Sequence, residues 1–182
     1  MPNGPILIIS GTNRPGANAL RVSKIVESCY KACGAPAEIY SLADMPREIF
    51  DPSSYATKPA SWQVVQDKVL AARGLHVVTP EYNGGFPGVL KYFIDMLKFP
   101  ESFEAKPVCF TGEAAGVWGA IRPIEQLQHI FGYRNAHIYP DRVFIPGIGQ
   151  KLDANGNLTD ADIQARLTKQ AAGFAAFVGK FA

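Results

Sequence analysis

The sequence predicts an α/β fold with a doubly wound, five-stranded parallel sheet and helices on both faces. Five short apolar runs alternate with segments of helical periodicity along the 182 residues, which is the order of βαβ units. The apolar runs lack polar alternation, as expected of strands that are covered on both faces. Right-handed crossovers then place helices on either side of the sheet. We expect residues 1–182 to form a single domain, because a chain of this length can bury one two-sided core.

The first unit of the chain is a strand, a loop and a helix. Residues 6–9 are the first apolar run, and glycines and small polar residues follow in a loop. Apolar residues from Val22 to Cys33 then recur at helical spacing, and Gly34 gives that helix a C-terminal signal. A second short strand is expected at residues 37–40.

Residues 43–60 interrupt the alternation of strands and helices. Pro46, Pro52 and Pro59 break any regular pattern in this segment. A connection of this length usually has a task of its own. Three interpretations stay open: the segment closes over a ligand, packs against a partner subunit, or is a surface excursion.

The middle of the chain repeats the strand-loop-helix pattern. A helix is expected at 61–73, a third strand at 75–79, a Gly/Pro-rich loop after it, and a helix at 87–98. This last helix is apolar nearly all round, with Lys91 and Asp95 as a thin polar stripe. Such a helix is buried on more than one side, and a second subunit is one source of that burial.

The remaining elements complete the alternation. The expected series is a strand at 107–111, a loop at 112–116, a helix through 121–130, a strand at 135–139, an extra edge segment at 143–145 and a last helix that starts at Thr159. Asp160 and Asp162 in the first turn of the last helix are favourable at a helix N-terminus.

Composition excludes several classes of protein. Hydrophobic residues make up 47% of the chain, charged residues 19%, and the formal net charge is +2. This balance is ordinary for a globular protein and too mild for a nucleic-acid partner. No run approaches the roughly 20 apolar residues of a membrane span, so no membrane role is expected and the chain is predicted to be cytoplasmic. Three cysteines without paired spacing indicate core packing rather than disulfides or a metal site.

The loop from Ser10 to Asn18 has the character of a phosphate site. It joins a strand to a helix N-terminus, where backbone N–H groups and the helix dipole favour an anion. Gly11 and Gly16 give the opening of a P-loop, but Ala17 and Asn18 stand where that motif needs lysine and serine or threonine. The dinucleotide fingerprint is absent as well. A site for one terminal phosphate remains, and the alternative is a polar turn that caps the helix.

Three Gly-rich loops follow the first, third and fourth strands. In a sheet of order 2-1-3-4-5 these strands are neighbours, and ligands of such sheets bind at the carboxyl ends of the strands. One ligand can therefore contact all three loops.

Two of these loops resemble the NADPH-dependent FMN reductase family of flavodoxin-like proteins, which includes quinone, azo-dye and chromate reductases. The first matching stretch is Gly-Thr-Asn-Arg-Pro-Gly-Ala-Asn at residues 11–18. The second match consists of Pro80, Glu81, Tyr82 and Asn83, followed by Pro87, Leu90, Lys91, Ile94 and Asp95. Ala17 departs from the pattern, because many relatives carry serine there, and one hydroxyl donor is lost.

The resemblance implies a flavodoxin-like fold with FMN as cofactor and NADPH or NADH as co-substrate. It also assigns residues to the cofactor. Those near the phosphate are Ser10, Thr12, Asn13, Arg14, Gly16, Ala17 and Asn18; those lining the isoalloxazine ring are Pro80, Glu81, Tyr82 and Asn83; those bordering the ribityl chain and the ring edge are Thr111, Gly112, Glu113 and Gly116.

The expected function is that of an FMN-dependent NAD(P)H oxidoreductase with a small-molecule acceptor: a quinone, an azo compound, a metal oxyanion or a flavin. Because the flavin carries the chemistry, no catalytic side chain and no metal are expected, and the three histidines are interpreted as structural. The resemblance implies a homodimer or tetramer. Two alternatives stay open: a flavodoxin-type electron carrier, against which the net charge of +2 argues, and a flavin-binding sensor without useful turnover.

Overall fold

The computed structural model describes residues 4–181 and contains a parallel sheet in the order β2-β1-β3-β4-β5. The strands are β1 (Ile6–Ser10), β2 (Ala37–Ser41), β3 (Gly74–Pro80), β4 (Pro107–Ala114) and β5 (His137–Pro146). The α-helices are α1 (Asn18–Ala32), α2 (Ala60–Ala71), α3 (Gly88–Met96), α4 (Ile121–Tyr133) and α5 (Ala161–Val178). The predicted fold class and strand order are confirmed.

Each face of the sheet carries its own apolar core, because side chains alternate along the strands. In β1, Ile6 and Ile8 pack with residues of α1 and α5. Leu7 and Ile9 point to the other face and pack with residues of α2, α3 and α4. No residue of β1 is more than 1% exposed, so the uninterrupted apolar run reflects burial on both sides.

Strands β4 and β5 are longer than the sequence analysis predicted. Residues Gly112 to Ala114 pair with residues 144–146 of β5 and belong to the strand, not to a loop. Segment 143–145 is the continuation of β5 rather than a separate edge segment. A register shift between Val108 and Phe110 interrupts the pairing of β4 with β5, which explains the gap in the apolar pattern that suggested two segments.

The start of α5 also differs from the prediction. The helix begins at Ala161, and Asp160 rather than Thr159 is the N-cap residue. A carboxylate oxygen of Asp160 accepts a hydrogen bond of 3.0 Å from the N–H of Ile163, which satisfies one of the free donors of the first turn.

Residues 42–55 cover α3. They form three short 3-10 helices, Leu42–Asp44, Arg47–Phe50 and Pro52–Tyr55. The Tyr92 hydroxyl of α3 donates a 2.6 Å hydrogen bond to the carbonyl of Ile49, and the Phe50 ring stacks on Tyr92 at 5.0 Å between centroids. The irregular segment therefore packs against its own chain and supplies burial that the sequence analysis partly assigned to a second subunit.

A buried polar network ties α1 and α5 to the central strands. The Tyr30 hydroxyl lies 2.7 Å from Nδ1 of His76, and Nε2 of His76 lies 2.8 Å from Oγ1 of Thr111. The Thr111 hydroxyl donates to Oε1 of Gln170 at 2.7 Å. The Gln170 amide donates in turn to the carbonyls of Phe110 and Asp141, at 2.9 and 3.0 Å.

The hydrogen bonds of Gln170 determine which atoms of this network donate and which accept. Because the Gln170 amide nitrogen donates to two carbonyls, its oxygen accepts from Thr111. His76 must then donate from Nε2, and in the neutral ring Nδ1 accepts the Tyr30 proton. Burial lowers the pKa of His76 to about 3, in agreement with this state, and supports a structural role for the residue.

Two of the three cysteines are core residues as expected: Cys29 and Cys109 are buried, whereas Cys33 after the end of α1 is exposed. Cys29, Cys33 and Cys109 are all free thiols. Across residues 4–181, no helix is long and apolar enough to cross a membrane. The same residues hold no group of three or more His, Cys, Asp or Glu side chains placed to bind a metal ion.

Candidate functional site

A cleft of about 390 Å³ lies where the loops after β1, β3 and β4 meet. Its walls are Arg14, Pro15, Gly16, Ala17, Asn18, Pro80, Glu81, Tyr82, Glu113, Ala114, Ala115, Ile148 and Gly149. The cleft lies at the carboxyl edge of the sheet, where ligands of doubly wound folds bind. The order β1-β3-β4 brings the loops together, as the sequence analysis predicted.

The loop after β1 is held by close approach to β3 and by its own side chains. A side chain at Gly11 would place Cβ only 2.8 Å from the carbonyl oxygen of Val78, so only glycine fits this backbone contact. The Thr12 hydroxyl accepts from the N–H of Arg14 at 3.3 Å and donates to the Tyr82 hydroxyl at 3.4 Å. Thr12 thus joins the first loop to the second.

The N-terminus of α1 opens on the cleft without a cap. Its N-cap residue, Ala17, makes no side-chain hydrogen bond, and the first turn contains no acidic residue. Within the described part of the chain, the N–H groups of Asn18, Ala19 and Leu20 have no acceptor outside the helix. Free N–H groups at the positive end of a helix dipole are what a phosphate group requires.

The loop after β3 is a tight turn. Tyr82 and Gly85 exchange two backbone hydrogen bonds of 2.8 and 3.0 Å, and Asn83 and Gly84 between them have φ values of 52° and 75°. Positive φ at both central positions is typical of a type I′ turn. The turn leaves Asn83 exposed and sets the Tyr82 ring on the cleft wall, with the Arg14 guanidinium 6.0 Å from its centroid.

Glu81 is fixed between the two neighbouring elements. Its N–H donates to the carbonyl of Glu113 at 3.1 Å, and its side chain forms a 2.8 Å ion pair with Arg122 of α4. The second carboxylate oxygen of Glu81 is buried and has no partner. The backbone link to β4 and the ion pair to α4 hold the second loop in place beside the cleft.

Glu113 brings a buried carboxyl group to the cleft wall. The residue is 4% exposed and lies opposite Pro80 in the pairing of β3 with β4. Burial raises the pKa of Glu113 to about 7. A carboxyl group in this position changes its charge near neutral pH.

The structure places eight of the fifteen predicted contact residues on the cleft wall. They are Arg14, Gly16, Ala17, Asn18, Pro80, Glu81, Tyr82 and Glu113. The other seven are not on that wall: Ser10, Thr12, Asn13, Asn83, Thr111, Gly112 and Gly116.

The buried members of this second group have other partners or lie beneath the loops. The Thr111 hydroxyl is used by His76 and Gln170. Gly112 lies under the following loop, where a Cβ would come within 2.8 Å of Ala120. Ser10 is 1% exposed, and its hydroxyl is buried without a partner. Asn13, Asn83 and Gly116 are exposed to solvent outside the cleft.

A fourth segment of the cleft wall was not predicted from the sequence. Ile148 and Gly149 follow the carboxyl end of β5, and Gly147 before them has φ of 61°. The Pro-Gly-Ile-Gly sequence at 146–149 is a turn signal directly after a strand. It was not connected to the site because β5 was expected to end at residue 139.

These features fit a flavin mononucleotide better than a dinucleotide or a nucleoside triphosphate. One uncapped helix N-terminus with Arg14 beside it suits one phosphate. Tyr82 and Pro80 offer a flat wall, and Glu113 offers a polar group in the same cleft. A parallel sheet of this order with such a cleft defines a flavodoxin-like mononucleotide-binding protein.

The chain belongs to the NADPH-dependent FMN reductase family, whose sequence profile matches residues 5–150. The resemblance stated from the two loops is thereby confirmed. So is the expected class of enzyme: an NAD(P)H-dependent oxidoreductase that works with FMN. Membership of an enzyme family disfavours both the flavodoxin-type carrier and the sensor without turnover.

Curated relatives are reductases with different named acceptors. The chain is 28% identical to the quinone reductase of Escherichia coli strain K12 over 177 residues, which are 95% of this chain and 94% of the relative. It is 29% identical to the FMN-dependent NADPH-azoreductase of Staphylococcus aureus strain USA300 over 130 residues, 68% of this chain and 65% of the relative.

Solved structures show the same fold at lower identity. The flavoenzyme NAD(P)H:(acceptor) oxidoreductase FerB from Paracoccus denitrificans superposes with a TM-score of 0.77 at 20% identity, covering 96% of both chains. A flavodoxin from the domain Archaea gives a TM-score of 0.64 at 12% identity, covering 96% of this chain and 97% of the other. Both comparisons support the flavodoxin-like architecture.

Proposed function

We propose that this protein binds FMN in the cleft, accepts a hydride from NADPH or NADH, and passes the electrons to a small-molecule acceptor. The acceptor classes proposed are quinone-like compounds, azo compounds, metal oxyanions and flavins. The observation that carries the proposal is the uncapped N-terminus of α1, which opens on the cleft next to Arg14. Bound FMN supplies the hydride and electron chemistry itself.

The residues of the first loop bind and orient the phosphate in this proposal. The N–H groups of Asn18, Ala19 and Leu20 donate hydrogen bonds, and the Arg14 guanidinium supplies a positive charge. Charge-assisted hydrogen bonds of this kind are about twice as strong as neutral ones. The contact of Thr12 with Tyr82 keeps the phosphate loop at a fixed distance from the second loop.

The second loop provides the wall for the ring. Pro80 and Tyr82 present flat apolar surface, and the type I′ turn and the Glu81–Arg122 ion pair hold this wall in place. A rigid wall on one side excludes water from that face and leaves the opposite face for the nicotinamide and the acceptor in turn. No side chain is needed as a nucleophile, and His76 is committed to the buried network.

Relatives named for a quinone and for azo compounds support a broad acceptor class. A flavin that exchanges electrons at an open face discriminates by access and orientation rather than by acceptor chemistry. We therefore propose the four acceptor classes together and NADPH and NADH as alternative donors.

We also propose that residues 1–182 act as one domain in the cytoplasm and assemble as a homodimer or tetramer. The side chains of Phe50 and Tyr55, 46% and 63% exposed, lie beside α3 and offer apolar surface for self-association. Light scattering of the eluted peak in size-exclusion chromatography tests the assembly. A monomer at micromolar concentration would contradict it.

The test of the enzymatic proposal begins with the purified protein. We expect a yellow protein with a flavin absorption spectrum and about one FMN per chain after reconstitution. Oxidation of NADPH or NADH should be slow alone and faster when a benzoquinone is added. A colourless protein that neither takes up FMN nor oxidises either nucleotide would overturn the proposal.

A further inference from the structure

Glu113 points into the cleft from the α1 side of the sheet. Side chains alternate along β4, and Cys109 and Thr111 face the layer of α1 and α5, through the apolar cluster and the Gln170 contact. Glu113 has the same parity in β4 and is one rung beyond Thr111. Its carboxyl group is therefore directed to the side where α1 begins, between the phosphate loop and the ring wall.

No described residue neutralises this carboxyl group. The five ion pairs among residues 4–181 use Glu38, Asp95, Glu101, Glu81 and Asp160 as acids. Burial is the cause of the change in the pKa of Glu113, with no contribution from a hydrogen bond or a charged neighbour. Burying an unpaired carboxylate is costly, and such a group takes up a proton instead.

The charged and titratable groups around the cleft do not reverse the preference of Glu113 for the protonated, neutral state. Arg14, from the loop after β1, stands over the Tyr82 ring. Glu81, from the loop after β3, is paired with Arg122, and the segment after β5 contributes the uncharged Ile148 and Gly149. The N-terminus of α1 favours an anion, but that position suits the phosphate of a bound mononucleotide.

A bound mononucleotide strengthens the preference for the neutral acid. Its phosphate brings about two negative charges into the cleft at pH 8, and its body displaces water that would solvate a carboxylate. Both effects disfavour ionised Glu113. The neutral acid also offers a donor and an acceptor together, whereas a carboxylate only accepts. The hydroxyl groups of a flavin polyol and the carbonyl groups of its pyrimidine edge together use both a donor and an acceptor.

We propose that Glu113 contacts FMN as the neutral acid, so that FMN binding is coupled to the uptake of one proton by this side chain. The proton comes from solvent: ionised Glu113 and FMN combine with one proton to give the complex with protonated Glu113. This inference rests on FMN as the ligand of the cleft.

The coupling predicts a pH-dependent affinity with a definite slope. Once Glu113 is ionised in the free protein, the apparent Kd for FMN should rise up to tenfold for each further pH unit. The FMN phosphate, which titrates near pH 6, is fully ionised over the interval from pH 7.5 to 8.5. A Kd that rises nearly tenfold across this interval therefore reports Glu113 and not the phosphate.

The experiment measures the Kd of FMN by quenching of flavin fluorescence at pH 6.5, 7.5 and 8.5. Glu113→Gln keeps the size of the side chain and cannot ionise, so we expect a Kd that is flat from pH 7.5 to 8.5 and lower than that of wild type at pH 8.5. Glu104→Gln, at an exposed site away from the cleft, is the matched control and should keep the wild-type profile.

A calorimetric measurement on the wild-type protein gives a second test that does not depend on the folding of a variant. FMN binding at pH 8 in two buffers of different ionisation enthalpy should show uptake of close to one proton. No uptake at pH 8, or the same pH profile in wild type and Glu113→Gln, would overturn this inference alone. Absence of FMN binding at every pH would overturn the proposed function and this inference with it.

Discussion

Arg14 is the basic side chain that the phosphate loop contributes to the cleft wall. We expect Arg14→Ala to weaken FMN binding by roughly 10- to 100-fold, because a hydrogen bond to a charged group contributes about 1.5–3 kcal/mol. Fluorescence titration with FMN measures the effect. Arg21→Ala is the matched control, since Arg21 lies in α1, directly after the phosphate loop, and outside the cleft. Undiminished affinity of Arg14→Ala would remove the residue from the site.

Ala17 is the position at which this chain departs from the pattern of the family. Its φ of −62° and ψ of 142° are those of an N-cap residue, but alanine makes no cap hydrogen bond. Ala17→Ser should therefore stabilise the apoprotein by about 0.5–1 kcal/mol and leave FMN binding unchanged or tighter. Urea unfolding and FMN titration test the two parts. Weaker FMN binding by Ala17→Ser would contradict this prediction. It would show that a serine hydroxyl competes with the phosphate for the backbone N–H groups of the helix N-terminus.

His76 makes the stability of the apoprotein depend on pH. Its pKa is about 3 in the folded protein and about 6.5 in an unfolded chain. The unfolded state therefore binds more protons between these values. Its contribution to stability is complete above pH 6.5 and falls by up to about 1.4 kcal/mol per pH unit below it.

Urea midpoints of wild type and His76→Gln at pH 7 and pH 5 measure this loss. We expect the wild type to lose more stability between the two pH values than His76→Gln loses. His129→Gln, at an exposed helix position, is the control and should follow the wild type. Equal losses in wild type and His76→Gln would contradict the buried, neutral state of His76.

At the level of elements, the contact of β4 with the following loop depends on Gly112. A Cβ there would approach the Cβ of Ala120 and the Cδ1 of Ile124 at 2.8 Å and the carbonyl oxygen of Gly119 at 2.9 Å. Because two of these atoms are backbone or Cβ, they cannot rotate away. We expect Gly112→Ala to destabilise the protein by about 1–3 kcal/mol, measured by urea unfolding.

Gly132→Ala in α4 is the control for this prediction. A Cβ at Gly132 would meet only the Cδ1 of Ile138, at an ordinary contact distance of 3.7 Å. Alanine has the higher helix propensity, so Gly132→Ala should be neutral or stabilising. Equal destabilisation by the two variants would contradict the steric explanation for Gly112.

The order and type of the elements were predictable, while their ends depended on pairing. Apolar runs such as 6–9 identified the strands because both faces of the sheet are covered. The sequence did not predict that β4 extends to Ala114, because glycine at position 112 is typical of a loop. Gly112 belongs to the strand through its pairing with Phe144. Two segments were predicted in place of the single strand β5, because its apolar pattern is interrupted where the pairing with β4 shifts register near Val108.

The candidate site was predictable by its loops and less so by its side chains. The motifs at 11–18 and 80–83 indicated the three-loop cleft. Thr111 and Glu113 face the same side of β4, but Thr111 lies deeper in the sheet and bonds into the network, whereas Glu113, two positions nearer the end of the strand, reaches the cleft wall. Predicting that Glu113 reaches the cleft requires knowing where β4 ends, and predicting that Ile148 contributes to the wall requires knowing where β5 ends.

For the whole molecule, the two faces of the sheet are stabilised differently. The face of α1 and α5 contains the buried network from Tyr30 to Gln170 as well as an apolar core. The other face has a larger apolar core, and its buried polar contacts, such as that of Gln66 in α2 with Ser102, lie outside the strands. On that side α3 is covered by the short 3-10 helices of residues 42–55. Removing a member of the network leaves buried polar groups unpaired, which costs about 1–3 kcal/mol for each group.

The buried network has a consequence for the order in which backbone amides exchange with deuterium. Its four side chains come from α1, β3, β4 and α5, so these elements should open as one cooperative unit with protection near that of global unfolding. Residues 42–55 should exchange earlier. Gln170→Ala should accelerate exchange in α1 as well as in α5, although the hydrogen bonds of the Gln170 side chain go to Thr111, Phe110 and Asp141 and to no residue of α1. Acceleration confined to α5 would show that the network transmits no stability across the layer.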